Sequence, residues 1–437
     1  MRRQWRSVRG VIAVAAAGAL AASGCAPGGG SGGNGGGGAL DGVELQVAAK
    51  WTGVEQENFE KVLDAFEKDT GAKVSYESTG EDTGAYLGPK IEAGEAPDVA
   101  ILPQPGLLAE YAGKDALVPL EGDAAKALDD NYSDYWKELG SVEGEPYGIL
   151  IKAAHKSIVW YRPDAFDEAG VEAPATWKDL TGEVSGTLSD AGITPFAMCG
   201  ASGWTLTDWF ENVYLSQAGP EKYDQLVAHE IKWTDPSVVK ALETLADVWG
   251  EKTMMAGGAK GAVQTDFPTC VTQVYGQQKA AMVMEADFVA ASVAEAGSTV
   301  GEDALTFPFP AVGDDAPVVV GGDIAAGMSE KKGTQELLAY LASPEAGTTW
   351  AGLGGYLSAN SEVEAGAYAD KTTKDLAQTI LDAGDNVRYD LSDQVPSAFG
   401  GTEGKGMWAA LQDYLRDPGD AKGTAEALEK SAAAADS

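Results

Sequence analysis

The chain has 11 tryptophans in 437 residues, and several stand beside glycines or at the ends of extended runs rather than inside apolar stripes. Trp51 lies just past a strand-like run, and Trp204 sits in a glycine-flanked loop ahead of a helical segment. An indole in such a place can cover a patch of C–H groups; its ordinary alternative is core packing. Polar candidates occupy comparable positions. Asp323 follows Gly321-Gly322, a pair that lets backbone approach a ligand closely. Gln104 and Glu285 fall near predicted strand ends, and Asp208 falls near a helix start, where capping competes with ligand contact. Arg388 with Asp390 and Asp393 forms either a ligand clamp or an ion-pair cluster, and Arg388 and Asp393 are its contact candidates. Carboxylates and amides bracket hydroxyls, and arginine supplies a fixed fork of donors. Such a set suits binding. For hydrolysis, no two carboxylates can be assigned acid and nucleophile roles, and no serine nucleophile elbow occurs. His155 and His229 are the two histidines, and neither stands near a cysteine or another histidine at ligand spacing, so neither a metal nor another cofactor is expected.

The elements that must position these residues are legible in part. Val43, Leu45 and Val47 alternate as in a strand, and Phe59, Val62, Leu63 and Phe66 recur at helical spacing before Gly71. Lys73 to Tyr76 and Val99 to Leu102 read as further strands. This βαβ alternation predicts an α/β fold with a parallel sheet, whose ligands bind beyond the strands' carboxyl ends, at Ala48 to Thr52 and Leu102 to Gly106. Ile158 to Tyr161, Ile193 to Met198, Ala280 to Glu285, Phe307 to Pro310 and Val318 to Val320 are extended candidates. Helices dominate between Thr207 and Tyr275, with one from Pro236 to about Trp249; Lys332 to Leu341 is also helical, and the Ala-rich end from Gly423 to Ala435 reads as a terminal helix or a frayed tail.

The formal charge is −36, from 31 basic and 67 acidic residues, a field that repels nucleic-acid phosphates. Arg2, Arg3, Arg6 and Arg9 precede the apolar run Val11 to Ala22 and then Ser23, Gly24 and Cys25, the layout of an export signal too short to span a bilayer. Small residues directly before Cys25 resemble the lipobox of bacterial lipoproteins, although Ala22 stands where that family usually has Leu. The resemblance implies cleavage after residue 24, acylation of Cys25 and attachment to the outer face of the cell membrane through lipid alone. Gly28 to Gly38, with Ser31 and Asn34, has the composition of a flexible tether. Two cysteines remain after export, and an even count in an oxidising compartment predicts a Cys199–Cys270 disulfide.

From the tether onward the order of features resembles the extracellular solute-binding proteins of ABC-type carbohydrate importers (family 1). The residues that carry this are Lys50-Trp51, Ala96-Pro97-Asp98-Val99 and Leu117-Val118-Pro119-Leu120. Ser202-Gly203-Trp204, Thr207-Asp208-Trp209, Tyr223-Asp224, Trp233-Thr234-Asp235-Pro236, Thr265-Asp266-Phe267, Gly321-Gly322-Asp323 and Arg388 to Asp393 narrow it towards alpha-glucoside-binding members. The resemblance implies a periplasmic-binding-protein-like fold of two α/β lobes, with hinge strands and an interlobe ligand cleft. It places 40–152 and 310–357 in lobe 1 and 153–309 and 358–437 in lobe 2, with crossings near Lys152, Phe309 and Leu357. It also implies a monomer that binds an alpha-glucoside, di- or oligosaccharide, and delivers it to an ABC permease. Two alternatives remain: the same fold binding a non-sugar solute such as a polyamine, and a secreted glycoside hydrolase.

Overall fold

A computed structural model describes residues 38–80, 82–383 and 387–435. The export signal, Cys25 and nearly all of the tether lie outside the described residues. Eleven strands are present among them: β1 Glu44–Ala49, β2 Lys73–Ser78, β3 Val99–Leu102, β4 Ser141–Val142, β5 Glu145–Pro146, β6 Gly148–His155, β7 Ile158–Tyr161, β8 Met282–Met284, β9 Leu305–Pro308, β10 Val319–Gly327 and β11 Arg388–Tyr389.

The first sheet starts as the sequence predicts. β1 pairs in parallel with both β2 and β3, and the Gly53–Thr70 helix makes the crossover from β1 to β2. That helix buries Phe59, Val62, Leu63 and Phe66 on one face and stops at Gly71, whose φ of 81° lies in the left-handed region that lets glycine close a helix. The long β10 then runs antiparallel to β3 and to β6, and β11 joins its opening residues in parallel. A second sheet, order β8-β7-β9, is wholly antiparallel. Ile193 to Met198, expected to be extended, is not a strand; Phe196 makes only isolated bridges to Met255 and Met282.

Two hydrophobic clusters are present. One gathers Val47, Phe59, Leu102, Ile149 and Leu338 around the first sheet and continues through Ile158, Trp160, Val271 and Val283 along one side of the second. The other gathers Val159, Trp209, Phe210, Leu242 and Leu411 around the antiparallel sheet and its helices. The fold is α/β with two lobes built on the two sheets, and His155, Lys156 and Ser157 link the first sheet to the second.

Cys199 and Cys270 form a disulfide with Cα atoms 5.4 Å apart. It ties the loop before the Trp204–Ala218 helix to the Phe267–Tyr275 helix. Serine at both positions should lower stability by about 3 kcal/mol, because the cross-link constrains the unfolded chain. Urea denaturation followed by far-UV dichroism tests this, and an unchanged midpoint would refute it.

Candidate functional site

A cavity of about 270 Å³ lies where the strand ends of the first sheet face the second lobe. β1 delivers Lys50 and Trp51 to it, β3 delivers Pro103 and Gln104, and β10 delivers Gly322 and Asp323. The sequence prediction that ligands sit beyond the β1 and β3 ends matches these positions. The register of β10 against β6 shifts between Asp323 and Ile324, and such an irregularity re-aims a side chain. Asp323 is 7% exposed and pairs with Lys50 Nζ at 3.5 Å.

The facing wall is aromatic. Trp204 opens its helix directly after Gly203, whose φ of 101° only glycine adopts readily. Its ring lies 5.7 Å from that of Phe267 and 6.1 Å from that of Phe288, and those two lie 5.4 Å apart. Trp408 also lines the cavity, packed against the Gly203 backbone so closely that a Cβ there would stand 2.6 Å from its own. The ring nitrogens of Trp51 and Trp408 are buried without a partner, which leaves two N–H donors beside the cavity. Trp51 itself is 2% exposed and packs edge-on against Phe59 and Trp350 at 4.9 and 5.1 Å. Most of its surface therefore serves the lobe core.

Of the eight residues singled out by sequence, Trp51, Gln104, Trp204, Asp323 and Asp393 line this cavity. Asp208 and Glu285 do not. Both are fully buried beneath it, in a cluster around Lys156. Lys156 Nζ donates to Asp208 Oδ1 at 3.1 Å and to Asp390, and stands 3.8 Å from Asp393. Burial alone would push the Lys156 ammonium towards neutrality, but Asp208, Asp390 and Asp393 together outweigh it and hold it charged. Burial, with repulsion from Glu285 and Asp390, pushes Asp208 well above the usual carboxylate range, and burial raises Glu285 to about 7. Asp208 Oδ2 and Glu285 Oε1 face no donor.

Arg388 is also absent from the lining. Its Nε donates to Asp224 at 2.7 Å and its Nη1 to the Val387 carbonyl. Side chains alternate along a strand, so with Tyr389 buried in the first core its neighbour Arg388 turns away. Asp390 then caps the short Leu391–Gln394 helix, accepting from the Asp393 N–H at 3.0 Å.

Asp208, Glu211 and Asp390 have the mutual spacing of metal ligands. Apart from Asp208 Oδ2, their oxygens are already engaged, however. Glu211 accepts from Tyr223 Oη and from the Leu391 and Ser392 N–H groups, and Asp390 accepts from Ser392 Oγ and Lys156. The cluster is an ion-pair hub with helix-capping duties.

Sequence reasoning missed Lys50, Lys152, Lys156, Phe267, Phe288 and Trp408 as lining residues. The missed signal is a lysine inside an apolar strand: Lys152 is 2% exposed within the wholly buried β6 and donates to Glu55 Oε1 at 2.6 Å. A buried cation needs a partner, and that need marks a site.

His155, read from sequence as a bland surface or packing residue, is 2% exposed. Its N–H donates to Asp287 Oδ1 at 2.7 Å, while Asp287 Oδ2 has no partner. Burial raises Asp287 to about 7 and lowers the His155 imidazole to about 4. A carboxyl raised on folding stabilises below its unfolded value, and that contribution is lost as pH rises through its folded value. Between about pH 4 and 7 the stability of the native chain relative to Asp287→Asn should therefore fall by about 1.4 kcal/mol per pH unit. His155 acts in the opposite sense in both proteins, so the difference between them isolates Asp287. Urea midpoints across that range test it, and parallel profiles would refute the assignment.

The bacterial extracellular solute-binding protein family matches residues 51–348. Over 395 residues the chain is 34% identical to the osmoprotective compounds-binding protein GgtB of Synechocystis, covering 88% of this chain and 90% of that one. It is 30% identical to the alpha-glucosides-binding periplasmic protein AglE of Rhizobium meliloti, covering 86% and 84% of the two chains. Among solved structures, the solute receptor AcbH superposes with a TM-score of 0.77 at 18% identity, covering 90% of this chain and 98% of the other. The RafE binding protein in complex with raffinose superposes with a TM-score of 0.73 at 19% identity, covering 90% and 100%. At these identities the two structures speak to the fold, which is the two-lobed one described above.

Proposed function

The chain belongs to the bacterial extracellular solute-binding proteins, which bind solutes and are not enzymes, and from that premise we propose that it captures an alpha-glucoside and delivers it to an ABC permease. The observation that carries this reading is the pairing of the Trp204–Phe267–Phe288 wall with Asp323, Gln104 and Asp393 in one cavity. A pyranose has C–H faces that cover aromatic rings and edge hydroxyls that both donate and accept. The alpha-glucosides-binding relative supports the same sugar class. The relative named for osmoprotective compounds favours a second reading, a solute of that kind. A polyamine fits less well, because an aliphatic amine makes little use of the aromatic wall, while Lys50, Lys152 and Lys156 in the lining are already paired with carboxylates.

Titration calorimetry against glucosides, trehalose, maltose and polyamines tests the reading. A micromolar or tighter alpha-glucoside supports it, and binding of a polyamine alone would refute it. The capture site lies outside the cell, held by an acyl chain on Cys25, and the chain acts as a monomer. Among the described residues no helix is long and apolar enough to cross a membrane. A lipid-modified Cys25 in the mass spectrum of the mature chain is the expected result, and an unmodified amino terminus elsewhere would refute it.

The lobe limits belong to the same proposal. The passage from β6 to β7 supports a first crossing at His155 to Ser157, and the passage from β9 to β10 supports a second near Phe309. β11 pairs with β10 in the first sheet, while Leu391 packs beside the second. This supports a third crossing at about Asp390 rather than near Leu357.

A further inference from the structure

The lobes touch on two sides of the cavity, through different elements. On one side Glu295, at the end of the Val289–Glu295 helix, accepts from the Val54 N–H at 3.1 Å, where the Gly53–Thr70 helix begins. Gly53 has a φ of 59°, and a Cβ on it would stand 2.7 Å from Glu295 Oε1. Beside it Gly355, with a φ of 64°, leaves room for Ala291, whose Cβ would be 3.2 Å from an added one. On the other side Gln104 packs on Gly401, where a Cβ would fall 2.0 Å from the amide nitrogen, and its side chain hydrogen-bonds Asp393. Gly106 meets the Val395 carbonyl just as closely, at 2.3 Å from an added Cβ. A side chain at Gly106 would meet the Val395 backbone and hold the lobes apart there, whereas at Gly53 or Gly401 it would displace the movable ends of Glu295 or Gln104 that make the contacts. Gly53, Val54, Ser292, Glu295, Gln104 and Gly401 all border the cavity. The space between the lobes, about 270 Å³, falls below the usual range of about 300–1,000 Å³ for small-molecule pockets.

Resting on the sugar reading above, we propose that these contacts shut the cleft on both sides, so that it admits compact glycosides of one or two rings, and that Glu295 sets this size limit. A chain of three or more rings has to pass between Glu295 and the Gly53–Val54 backbone, which breaks the contact that completes closure. Ligand affinity and lobe closure are linked, because a ligand favours only the state in which it makes more contacts. Longer saccharides therefore lose the closed state, and with it affinity.

Calorimetric dissociation constants for trehalose, sucrose, maltose, raffinose, maltotriose and maltotetraose, measured with the native chain, Glu295→Ala and Glu295→Gln, test this. Glu295 is exposed, so its replacement leaves the cores intact. The native chain should bind its best trisaccharide at least about tenfold more weakly than its best disaccharide. Glu295→Ala should shrink that ratio to about threefold or less, and Glu295→Gln, whose amide oxygen still accepts from Val54, should restore it. Equal affinity of the native chain for two, three and four rings would overturn the inference and leave the sugar reading standing. An unchanged ratio in Glu295→Ala would also overturn it. Failure of every saccharide to bind would overturn the sugar reading and this inference together.

Discussion

Lys156→Met should unfold at a much lower urea concentration than the native chain, with a loss of about 3–5 kcal/mol, the usual cost of removing one partner from a buried ion pair. Lys156 is 8% exposed, and its ammonium stands between Asp208, Asp390 and Asp393, with Glu211 also acting on it. Without it, Asp390 keeps its Ser392 and Asp393 donors but loses the opposing charge that holds its carboxyl low against burial. Asp208 loses the donor to Oδ1 and already has none at Oδ2. Arginine should not rescue it. A Cβ at Gly321 would lie 2.7 Å from Lys156 Cε, so the strand passes the lysine stem too closely for a guanidinium to be accommodated without displacement. The deficit should be greater at pH 8 than at pH 5, because carboxyls left unpaired can neutralise themselves by taking up protons. An unchanged urea midpoint at pH 8 would show that the hub does not hold the two sheets at their junction.

What the sequence revealed, and what it hid, follows from where each residue sits. Val99 to Leu102 was recognisable as a strand because Pro97 and Asp98 punctuate its start and all four residues are apolar and buried. β1 and β3 then indicated where a ligand would lie, since cavity residues of a parallel sheet follow strand ends, and Trp51 and Gln104 are there. β6 gave no such signal. All eight of its residues are buried, so it has no alternation, and Lys152 and His155 within it look like surface residues. Arg388 was misread because its chemistry depends on which way a two-residue strand faces, and pairing with β10 rather than local pattern settles that. Asp208 and Glu285 were placed in the right neighbourhood but one layer too shallow. Their partner Lys156 is 52 residues from Asp208 and 234 from Asp390, a separation that no spacing rule reaches. Phe267 and Phe288 come from two separate helix starts and meet Trp204 only in the folded chain, 63 and 84 residues along from it, so no local pattern marks the wall.

The double variant Trp204→Ala with Asp323→Ala should bind the preferred glycoside about a thousandfold more weakly than the native chain, a change of about 4 kcal/mol. Each substitution alone should cost about 1–3 kcal/mol, by different routes. Removing Asp323 leaves a ligand hydroxyl without its acceptor inside a closed cavity, where water replaces it poorly. It also frees Lys50, whose ammonium burial would otherwise push down and Asp323 holds up. Removing Trp204 takes away the central ring of the Phe267–Phe288 wall and the indole face 5.9 Å from Lys156 Nζ. Neither change should unfold the chain: Asp323 lines the cavity on the first-sheet side, and Trp204 is only half-buried at the start of its helix. Both residues line the cavity and each also weakens closure, so the two losses are coupled and their sum is a guide to the combined effect rather than its exact value. X-ray scattering gives the independent reading. The native chain should contract when saturated with ligand, and the double variant should keep its free radius of gyration at the same ligand concentration. Native affinity in both single variants, with no contraction on ligand addition, would mean that this cavity is not where the solute binds.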